Sequence, residues 1–475
     1  MDLRPERQLD RLAPDLHRVL DDVCRRLAAA GGRAWLVGGT VRDLALGRDT
    51  GDLDLEVFGL PADRLQDTLA AAYDLDLVGR AFGILKLRGW PVDVGLPRRE
   101  AKLGRGHKGF AIDSDPHLDL PTAAARRDFT LNAVYLDPLT GEVADPWQGL
   151  DDLDRGLLRH TSPAFGEDPL RVLRGMQLVA RFELHAVPET VALCRAVARE
   201  GLPGERLWGE WVKLLTLGRR PSLGLEFLRE TGWLAHFPEL DALRGCPQDP
   251  HHHPEGDVWI HTLHALDAFA AERTGDPWED LVVGCAVLCH DLGKPGHTTR
   301  EPDGRVRSLG HEQVSVARTE SLLGAMTDNR RLLAEVKPLV AEHGHPTQLF
   351  RAGASAAAVR RLAARVGRID RLVRVARADN FGRPPLPADA YPAGDWLLAV
   401  AAAHDVIDTA PAPLIQGRHL VALGETPGPR FTPILDEVYA AQLDGDVTDE
   451  TAALALLKRI LARSDDPEGK GRRKD

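Results

Sequence analysis

The chain of 475 residues has few cysteines and no long apolar run. Its cysteines are scattered and odd in number, which argues against a disulfide framework; they are Cys24, Cys194, Cys246, Cys285 and Cys289. The last two lie in an apolar run and are expected to be buried helix residues rather than metal ligands. No apolar run approaches the roughly 20 residues of a membrane span. The N-terminal MDLRPERQLDRL lacks the apolar core of a secretory signal, so we expect a cytoplasmic protein.

Positive charge is also in deficit. The formal net charge is −11, so no global positive field attracts nucleic acid. Any RNA partner must therefore dock on a local basic patch. The basic, glycine-rich segment RREAKLGRGHKG at 98–109 is one candidate for contacts with RNA phosphates, and a solvated loop is the alternative interpretation.

Strand patterns are confined to the first 150 residues. AWLVGG, DLDLEVF and GILKLRGWPVDVGL are typical of strands, whereas residues 9–30 have helical spacing. From about residue 151 onward we expect helices and loops only. The fold class is therefore an α+β head with a small mixed sheet, followed by an all-α neck, a helical domain and a helical tail.

The same patterns predict four domains. We place the head at 1–150, the neck at 151–232, a histidine-rich helical domain at 233–385 and a helical C-terminal region at 386–475. The last twelve residues, SDDPEGKGRRKD, are charged and poor in apolar side chains, so we expect this tail to be disordered.

Two aspartates follow a double glycine in the segment WLVGGTVRDLALGRDTGDLDLEVFGL at 35–60. Residues two apart on a strand point to the same face, so Asp52 and Asp54 direct both carboxylates at one point. Paired carboxylates favour a hard cation such as Mg²⁺. Asp93, in PVDVGL, would add a third carboxylate from a neighbouring strand. This arrangement suits two metals on either side of a phosphoryl transfer, with the three aspartates as catalytic residues.

The glycines and an arginine of this segment predict an anion site. Gly38 and Gly39 let the backbone approach a ligand, and the amides that open the following helix favour negative charge. Arg42 adds a cation within reach. We therefore expect a nucleoside triphosphate with its metals. The alternative is a surface turn before an edge strand with solvated aspartates, which a D-x-D pattern alone does not exclude.

Five segments, in chain order, resemble the motifs of a known family. LVGGTVRDLALG with GDLDLEVF resembles the first motif of class II tRNA nucleotidyltransferases, the CCA-adding enzymes and their poly(A) polymerase relatives. RRDFTLNAV (126–134), DPWQGLDDLDRGLLRH (145–160) and FGEDPLRVLRGMQLVARF (165–182) are similar to the second, third and fourth motifs. GERLWGEWVKLL (204–215) is loosely similar to the fifth.

The resemblance implies roles for the matching positions. Those that would bind the nucleotide, besides Gly38, Gly39 and Arg42, are Arg127, Asp128, Asn132, Asp168, Arg171 and Arg174. Asp168 and Arg171 would read the incoming base in place of a nucleic-acid template. Aspartate accepts a hydrogen bond from the exocyclic amine of C or A, and arginine donates to ring acceptors. Arg174 would contact the triphosphate.

One position departs from the better-known bacterial CCA-adding enzymes. Those enzymes carry another arginine three residues after the one that corresponds to Arg174, and this chain has Gln177. A neutral amide does not replace a bidentate guanidinium on phosphate. The addition of CCA, of CC only, of A only, or of poly(A) therefore stays open.

A second group of residues, rich in histidine, follows further along. WIHTLHALD, CAVLCHDLGKP and VARADNFGRP contain an ordered set that resembles an HD phosphohydrolase domain: His261, His290, Asp291 and Asp379. Imidazoles and carboxylates bind a divalent transition metal of the Ni, Mn or Co type, which activates water against a phosphate ester. His311, His343 and Lys294 are candidates for further ligands or phosphate contacts. The tract HHH at 251–253 is interpreted as a polar linker.

Together these patterns predict an enzyme that extends the 3′ end of tRNA from CTP and ATP, with Mg²⁺ at the first site. The second site would carry phosphatase or 2′,3′-cyclic phosphodiesterase activity, as in HD-bearing bacterial CCA enzymes. A hypothesis of another class is a metal-dependent phosphohydrolase whose front half only binds RNA. A regulatory nucleotide-binding module is a third.

Overall fold

The computed structural model describes residues 3–76, 84–102, 110–199 and 201–464. The chain divides into two compact units, Met1–Pro238 and Glu239–Asp475. The predicted disordered tail, from residue 465 on, lies outside the described residues, as does the 103–109 part of the basic segment. Within the described ranges, no helix has both the length and the apolar character that crossing a bilayer requires.

The first unit contains a seven-stranded mixed sheet in the order β3-β4-β5-β2-β1-β8-β9. Among the described strands of this sheet only β2 and β5 pair in parallel, and β6 and β7 form a separate antiparallel pair. The strands are β1 (Arg33–Val37), β2 (Leu53–Phe58), β3 (Leu75–Asp76), β4 (Ile84–Leu87), β5 (Val92–Gly95), β6 (Arg98–Lys102), β7 (Phe110–Ser114), β8 (Tyr135–Leu136) and β9 (Val143–Ala144). The strands predicted from AWLVGG, DLDLEVF and GILKLRGWPVDVGL are therefore confirmed.

Helices cover the sheet and build the rest of the first unit. They are α1 (Pro14–Ala29), α2 (Gly39–Ala45), α3 (Ala62–Ala70), α4 (Leu120–Ala125), α5 (Gly149–Asp154), α6 (Leu170–Phe182), α7 (Pro188–Ala196), α8 (Gly204–Leu217) and α9 (Pro221–Glu230). In α1 the side chains of Leu16, Leu20, Val23 and Leu27 recur at helical spacing and are buried. They join one core with Leu53, Leu55 and Val57 of β2. Asp54 and Glu56 are on the opposite face of β2.

The second unit is helical, as predicted. The short α10 (Pro238–Asp241) lies at the boundary between the units. The others are α11 (Val258–Ala271), α12 (Pro277–Cys289), α13 (His311–Gly324), α14 (Arg330–Glu342), α15 (His345–Arg351), α16 (Ala356–Val366), α17 (Ile369–Phe381), α18 (Pro392–Ala403), α19 (Gly417–Ala422), α20 (Phe431–Asp444) and α21 (Glu450–Ser464). Cys285 and Cys289 are fully buried in α12, as predicted. Residues 415–461 contribute a core cluster of their own.

The expectation of helices and loops only after residue 151 was wrong in one detail. Two pairs of two-residue strands occur there: β10 (Leu157–Leu158) with β11 (His185–Ala186), and β12 (Thr299–Arg300) with β13 (Val306–Arg307). A two-residue strand is too short to show an alternating pattern, so sequence periodicity gives no sign of it. The division into four domains stays a prediction.

Candidate functional sites

The paired aspartates lie at one edge of the β2–β5 pair. Asp54 is in β2 and pairs in register with Asp93 of the parallel strand β5, while Asp52 immediately precedes β2. Leu53 and Leu55 point into the core, as the alternation predicts. All three aspartates line one cavity, and Asp93 Oδ2 is 2.6 Å from Lys86 Nζ. The predicted third carboxylate is thus adjacent to the pair but is already bound to a lysine.

The electrostatics of Asp54 favour a cation. Partial burial in the cleft raises the pKa of its carboxyl group, the charges of Asp93 and Asp52 raise it further, and Arg127 opposes them. Among the described residues, however, these three aspartates are not one of the sets whose ligand oxygens all lie within 4.8 Å of one another. The three carboxylates therefore share one cleft, but their oxygen atoms are not arranged as a compact set of metal ligands.

The double glycine leaves the cleft open beside this carboxylate. Gly38 has φ of +72°, which only glycine adopts without strain. A Cβ atom there would lie 3.2 Å from Arg127 Nη1 and 3.7 Å from Asp54 Oδ2. The following helix, α2, has only seven residues. Gly38 therefore keeps free the space between a guanidinium and an aspartate, which is where a phosphate with its metal would fit.

Glu56 continues the face of β2 that carries Asp54. It is 2% exposed, and it accepts hydrogen bonds from Arg126 Nη2 at 2.7 Å, Arg127 Nη2 at 3.4 Å and Tyr135 Oη at 2.9 Å. Burial opposes its charge, but the two arginines outweigh that effect and lower the pKa of Glu56. This buried carboxylate fixes the direction of Arg127, one of the predicted nucleotide-binding residues.

A second buried network joins three of the sequence motifs. Asp128 Oδ2 accepts from Arg174 Nε at 2.6 Å, and its Oδ1 accepts from Asn132 Nδ2 at 3.0 Å. Asn132 Oδ1 in turn accepts from Arg42 Nη1 at 2.6 Å. Burial disfavours ionised Asp128, but Arg174 and Asn132 outweigh it and lower its pKa to about 2. Arg42 is 5% exposed, so it contributes by holding Asn132 rather than by facing the pocket.

The predicted base-reading pair lies where helix α6 begins. Asp168 precedes the helix rather than forming part of it, and its Oδ1 accepts from the backbone N–H of Leu170 at 3.0 Å. Arg171 is in the first turn and donates to the carbonyl oxygens of Ala164 and Arg126. Arg206 of α8 donates to Asp168 Oδ2 at 3.0 Å. The start of α6 and the neighbouring helix α8 thus fix the position of the Asp168 side chain.

One pocket brings these groups together. Its volume is about 320 Å³, within the range of small-molecule sites. Its lining includes Gly38, Asp54, Arg127, Asp168, Arg171 and Arg174. An adjoining cavity of about 450 Å³ shares Asp54, Arg127 and Arg174 and adds Asp93 and Glu56. Residues of the first, second, fourth and fifth motifs, from Gly38 to Arg206, therefore converge on a single pocket.

Gln177 does not face this pocket. It is 3% exposed in α6, and its Oε1 accepts from Arg181 Nη1 at 3.3 Å. Arg181 lies over the ring of Phe182, which Arg42 and Arg48 also approach, at 4.5 and 4.6 Å from the ring centre. Gln177, which replaces the arginine of the better-known enzymes, thus lies beside a group of guanidinium side chains gathered around Phe182.

The histidine-rich residues also converge. His261 is in α11, His290 directly follows α12 as its C-cap residue, and Asp379 is in α17. His261 Nε2 is 3.2 Å from His290 Nε2 and 3.1 Å from Asp379 Oδ1, and these ligand atoms form one of the compact sets that could hold a metal ion. Burial opposes the charge on His261, but Asp379 and Glu255 outweigh it and raise its pKa to about 9.

The other half of the His-Asp doublet lies beside this set. Asp291 is 2% exposed, with Oδ2 3.2 Å from His290 Nε2 and 2.7 Å from Lys294 Nζ. Burial opposes its charge, but the neighbouring cations hold its pKa well below the usual range. Its Oδ1 faces His311 and His343. The structure therefore brings together all four residues of the predicted HD set and the three further candidates.

Sequence reasoning missed several members of both sites. Glu56 and Arg206 lie within quoted motifs, and Glu56 was detectable as a carboxylate two residues after Asp54 on the same strand face. Glu255 Oε1 is 2.8 Å from His261 Nδ1 and 2.9 Å from His253 Nδ1. The interpretation of His253 as part of a polar linker was therefore wrong, because its neighbour Glu255 folds it against the buried His261. The spacing of residues in the sequence does not predict the contact between Glu255 and His261.

Comparisons with known proteins define the class. Residues 34–159 match the family model described as the poly A polymerase head domain, and residues 186–244 match the probable RNA and SrmB-binding site of polymerase A. Residues 34–159 of the first unit are thus a nucleotidyltransferase head of the poly A polymerase type, with mixed sheet and helices.

Curated relatives extend the match over most of the chain. The multifunctional CCA protein of Xanthomonas campestris pv. campestris (strain B100) is 38% identical over 389 residues, 78% of this chain and 90% of the relative. That of Nitrosospira multiformis is 35% identical over 77% of this chain and 87% of the relative. The chain therefore belongs to the family of multifunctional CCA proteins.

Solved structures share the fold. The Bacillus stearothermophilus CCA-adding enzyme in complex with CTP has a TM-score of 0.62 at 21% identity, covering 95% of this chain and 99% of that one. The Thermotoga maritima CCA-adding enzyme complexed with tRNA has a TM-score of 0.57 at 18% identity, covering 98% and 99%. At these identities the likeness concerns the fold alone.

Proposed function

We propose that the chain is a template-independent RNA nucleotidyltransferase that adds C and A residues to the 3′ end of tRNA from CTP and ATP. The observation that carries the proposal is the single pocket where Asp54, Arg127 and Arg174 meet the pair Asp168 and Arg171. The names of the relatives, and the CTP and tRNA in the related structures, support the same substrates. Transfer would proceed by attack of the tRNA 3′-hydroxyl on the α-phosphate, with pyrophosphate leaving.

Asp52 and Asp54 fit a magnesium site. They share one cleft; burial, together with the charges of Asp93 and Asp52, raises the pKa of Asp54, and a divalent cation there would favour its ionised form. Magnesium bound there supplies charge neutralisation for the leaving pyrophosphate and a lowered pKa for the attacking hydroxyl. Asp93 is the third candidate ligand, and its Oδ2 is paired with Lys86 Nζ.

The remaining residues would position the nucleotide. Arg127, aimed by Glu56, and Arg174, aimed by Asp128, would bind triphosphate oxygens beside the open space at Gly38 and Gly39. Asp128 and Asn132, with Arg42 behind them, would lie near the sugar. Asp168 and Arg171 would accept and donate at the base edge, so that U and G would leave buried polar groups unpaired.

Tail length tests this function. Folded protein with Mg²⁺ is given tRNA transcripts that end at the discriminator base, at C or at CC, each with CTP or ATP. We expect C addition to the first two transcripts and one A on the third. Stopping at CC, acting only on CC ends, or growing a long A tail would identify the CC-only, A-only or poly(A) alternative. No extension in any combination defeats the proposal.

A second activity is favoured by the set His261, His290 and Asp379. We infer that residues 233–385 form an HD phosphohydrolase domain, between the neck at 151–232 and the C-terminal region at 386–475. These three side chains fit a divalent transition metal, because they offer nitrogen and oxygen ligands within 4.8 Å of one another. The metal supplies activated water, and Lys294 and His253 line an open pocket of about 360 Å³ where a phosphate ester would enter.

Phosphate release from nucleoside 2′,3′-cyclic phosphates and from phosphate monoesters tests this activity, in the presence of Ni²⁺, Mn²⁺ or Co²⁺. We expect His290→Gln to abolish it. His264→Gln is the matched control, because His264 lies exposed on α11, the helix that carries buried His261. If phosphate release were the only activity and tRNA extension never occurred, the hypothesis of a phosphohydrolase with an RNA-binding front half would replace the first proposal.

A further inference from the structure

Asp54 lines two cavities of the head. One is the pocket of about 320 Å³ that also contains Arg127 and Arg174, here called the nucleotide pocket. The other has a volume of about 470 Å³ and is lined by Asp52, Asp54 and Asp93 together with Lys86, Arg88 and Trp90; it is here called the Trp90 cavity. Apart from the aspartates, the described lining of the Trp90 cavity has no role in the function proposed above.

The β4–β5 hairpin provides the basic residues of the Trp90 cavity. Lys86 is in β4 and Arg88 directly follows this strand, and residues two apart on an extended chain point to the same face. The intervening Leu87 is buried, as is Leu85. Lys86 pairs in register with Asp93 of β5. The two cationic side chains therefore lie on the face of the sheet that carries the candidate metal ligands.

The turn of the same hairpin holds Trp90 at the cavity. Gly89 has φ of +80°, and the Trp90 amide donates to the carbonyl oxygen of Leu87 at 3.1 Å. The carbonyl oxygen of Pro91 accepts from the Leu53 amide at 2.9 Å, which attaches the turn to β2. Trp90 is nevertheless 37% exposed. The backbone is thus fixed by hydrogen bonds while the indole keeps a surface that a ligand can cover.

The cations of the Trp90 cavity are charged and accessible. A hydrogen bond to Asp93 raises the pKa of Lys86, and the charges of the neighbouring aspartates add to this effect against a small opposing effect of burial. Arg88 Nη1 lies 3.4 Å from Asp74 Oδ2 in an exposed ion pair, which contributes little stability and leaves the guanidinium open to a phosphate. An aromatic surface beside accessible cations is the combination that binds single-stranded RNA, because bases stack on the ring and phosphates pair with the cations.

The position of the Trp90 cavity suits the acceptor of a nucleotidyl transfer. In-line displacement places the attacking oxygen and the leaving pyrophosphate on opposite sides of the α-phosphorus. Arg127 and Arg174, which would hold the triphosphate, line the nucleotide pocket and are absent from the described lining of the Trp90 cavity. Asp54 lines both. An attacking hydroxyl would therefore approach Asp54 from the side away from the two arginines, where the Trp90 cavity lies.

We propose that the Trp90 cavity binds the 3′-terminal nucleotide of the RNA acceptor, with its base stacked on Trp90 and its phosphate at Lys86 and Arg88. This inference rests on the proposed nucleotidyl transfer and specifies where the acceptor end lies. Stacking tolerates a change of base, because every base has a π-face. One subsite would therefore accept the discriminator base and then each added C, as stepwise extension requires.

Acceptors with and without a terminal base test the stacking contact. A tRNA transcript that ends at C is compared with the same transcript carrying an abasic 3′-terminal nucleotide, and KM is measured separately for RNA and for CTP. On the normal transcript, Trp90→Ala should raise the KM for RNA about tenfold and leave the KM for CTP unchanged, and Trp90→Phe should restore most of the loss. On the abasic transcript, Trp90→Ala should add little, because the base that it contacts is already missing.

Matched variants control this measurement. Leu139, in the β8–β9 turn of the same sheet, is exposed to a similar extent as Trp90, and Leu139→Ala should change neither KM. Arg88→Ala should raise the KM for RNA about threefold to tenfold on both transcripts, because a phosphate contact does not require the base. Arg155→Ala removes an equally exposed ion pair and should have no effect.

Two kinetic results would contradict the proposal. An equal rise in the KM for RNA on both transcripts after Trp90→Ala overturns the stacking contact. A rise in the KM for CTP, with the KM for RNA unchanged, assigns the cavity to the nucleotide and overturns the acceptor subsite.

Binding without turnover separates this inference from the proposed function. The affinity of the full chain for both transcripts, labelled at the 5′ end, is measured by fluorescence anisotropy with Mg²⁺ and no nucleotide. Tighter binding of the normal transcript, abolished by Trp90→Ala, supports the subsite; if no transcript is extended, only the transfer proposal fails. Equal affinity for both transcripts with extension intact overturns the subsite alone, and equal affinity without extension overturns both.

Discussion

The two compact units satisfy charge in opposite ways at their candidate sites. In the first unit, arginines that face the pocket are already bound by buried carboxylates: Glu56 holds Arg127 and Asp128 holds Arg174. In the second unit, carboxylates and imidazoles contact each other directly: Asp291 Oδ2 lies 3.2 Å from His290 Nε2 and 2.7 Å from Lys294 Nζ, and Asp379 Oδ1 lies 3.1 Å from His261 Nε2. The first site presents oriented arginines to a polyanion, whereas the second packs imidazoles and a lysine against buried carboxylates.

The two sites are therefore prepared for their ligands in different ways. A fixed array of guanidinium groups stabilises transferring phosphates without rearranging, because its side chains are oriented before the ligand arrives. A set of inward-facing nitrogens and carboxylate oxygens is unfavourable alone and becomes favourable when a cation binds. We therefore expect the units to respond differently to mutation, pH and metal removal.

The largest expected effect is a reciprocal loss of activities. Asp52→Asn with Asp54→Asn should lower nucleotide incorporation by about 10³-fold or more, because the site loses metal binding worth several kcal/mol. Phosphate release should not change. His290→Gln should give the reverse result. Asp63→Asn, an exposed aspartate on α3, is the control for the head. Loss of both reactions in either variant would contradict the independence of the two sites.

The next expected effect concerns stability of the head. Glu56→Gln removes the charge that pairs with Arg126 and Arg127 in the interior, and should lower the free energy of unfolding by about 3 kcal/mol. Calorimetry, with hydrogen exchange of β2 to identify the transition, measures it. Glu142→Gln is the matched control: its partner Arg33 is exposed, so the loss should stay below about 1 kcal/mol. Equal losses in both variants would show that Glu56 is no more important than a surface ion pair.

The pH dependence of the head should reveal Asp128. Because its folded pKa is lowered to about 2 from 3.8, its ion pair stabilises the fold fully above about pH 4. That stabilisation, about 2 kcal/mol, should disappear as the pH falls from about 4 to about 2. The measurement is the difference in unfolding free energy between the unmutated chain and Asp128→Asn at each pH. The other carboxyl groups titrate in the same way in both proteins, so their contributions cancel in this difference. A difference that is constant over this range would mean that Asp128 titrates normally.

The smallest expected effect is on base choice. Arg206→Ala removes the hydrogen bond to Asp168 Oδ2. The preference for CTP and ATP over UTP and GTP should therefore fall by about threefold to tenfold, which is the size expected for the loss of one partly exposed charged hydrogen bond. Ratios of kcat/KM for the four nucleotides measure it. Arg229→Ala, which removes a comparable pair with Glu226, should leave the ratios unchanged. An equal decrease for all four nucleotides would indicate a purely structural role for Arg206.

Much of the head was predictable because its chemistry lies close together in sequence. The alternation of DLDLEVF set which side chains face the core, and the structure confirms that β2 buries Leu53 and Leu55. The helix start at Leu170 was less predictable: Asp168 stays outside the helix, since its side chain accepts from the Leu170 amide. The placement of Arg206 depends on how α8 packs beside α6, which no local pattern contains.

The sequence by itself determined the central strands of the head sheet, the helical regions, the residue types of both sites and the similarity to a known family, because these depend on local periodicity and on motif order. Tertiary structure decided which nitrogen of each histidine faces inward, that Asp291 lies between two groups, and that Glu255 contacts His261. Those features depend on distances between helices far apart in the chain, and a one-dimensional pattern carries no information on such distances until the core is packed.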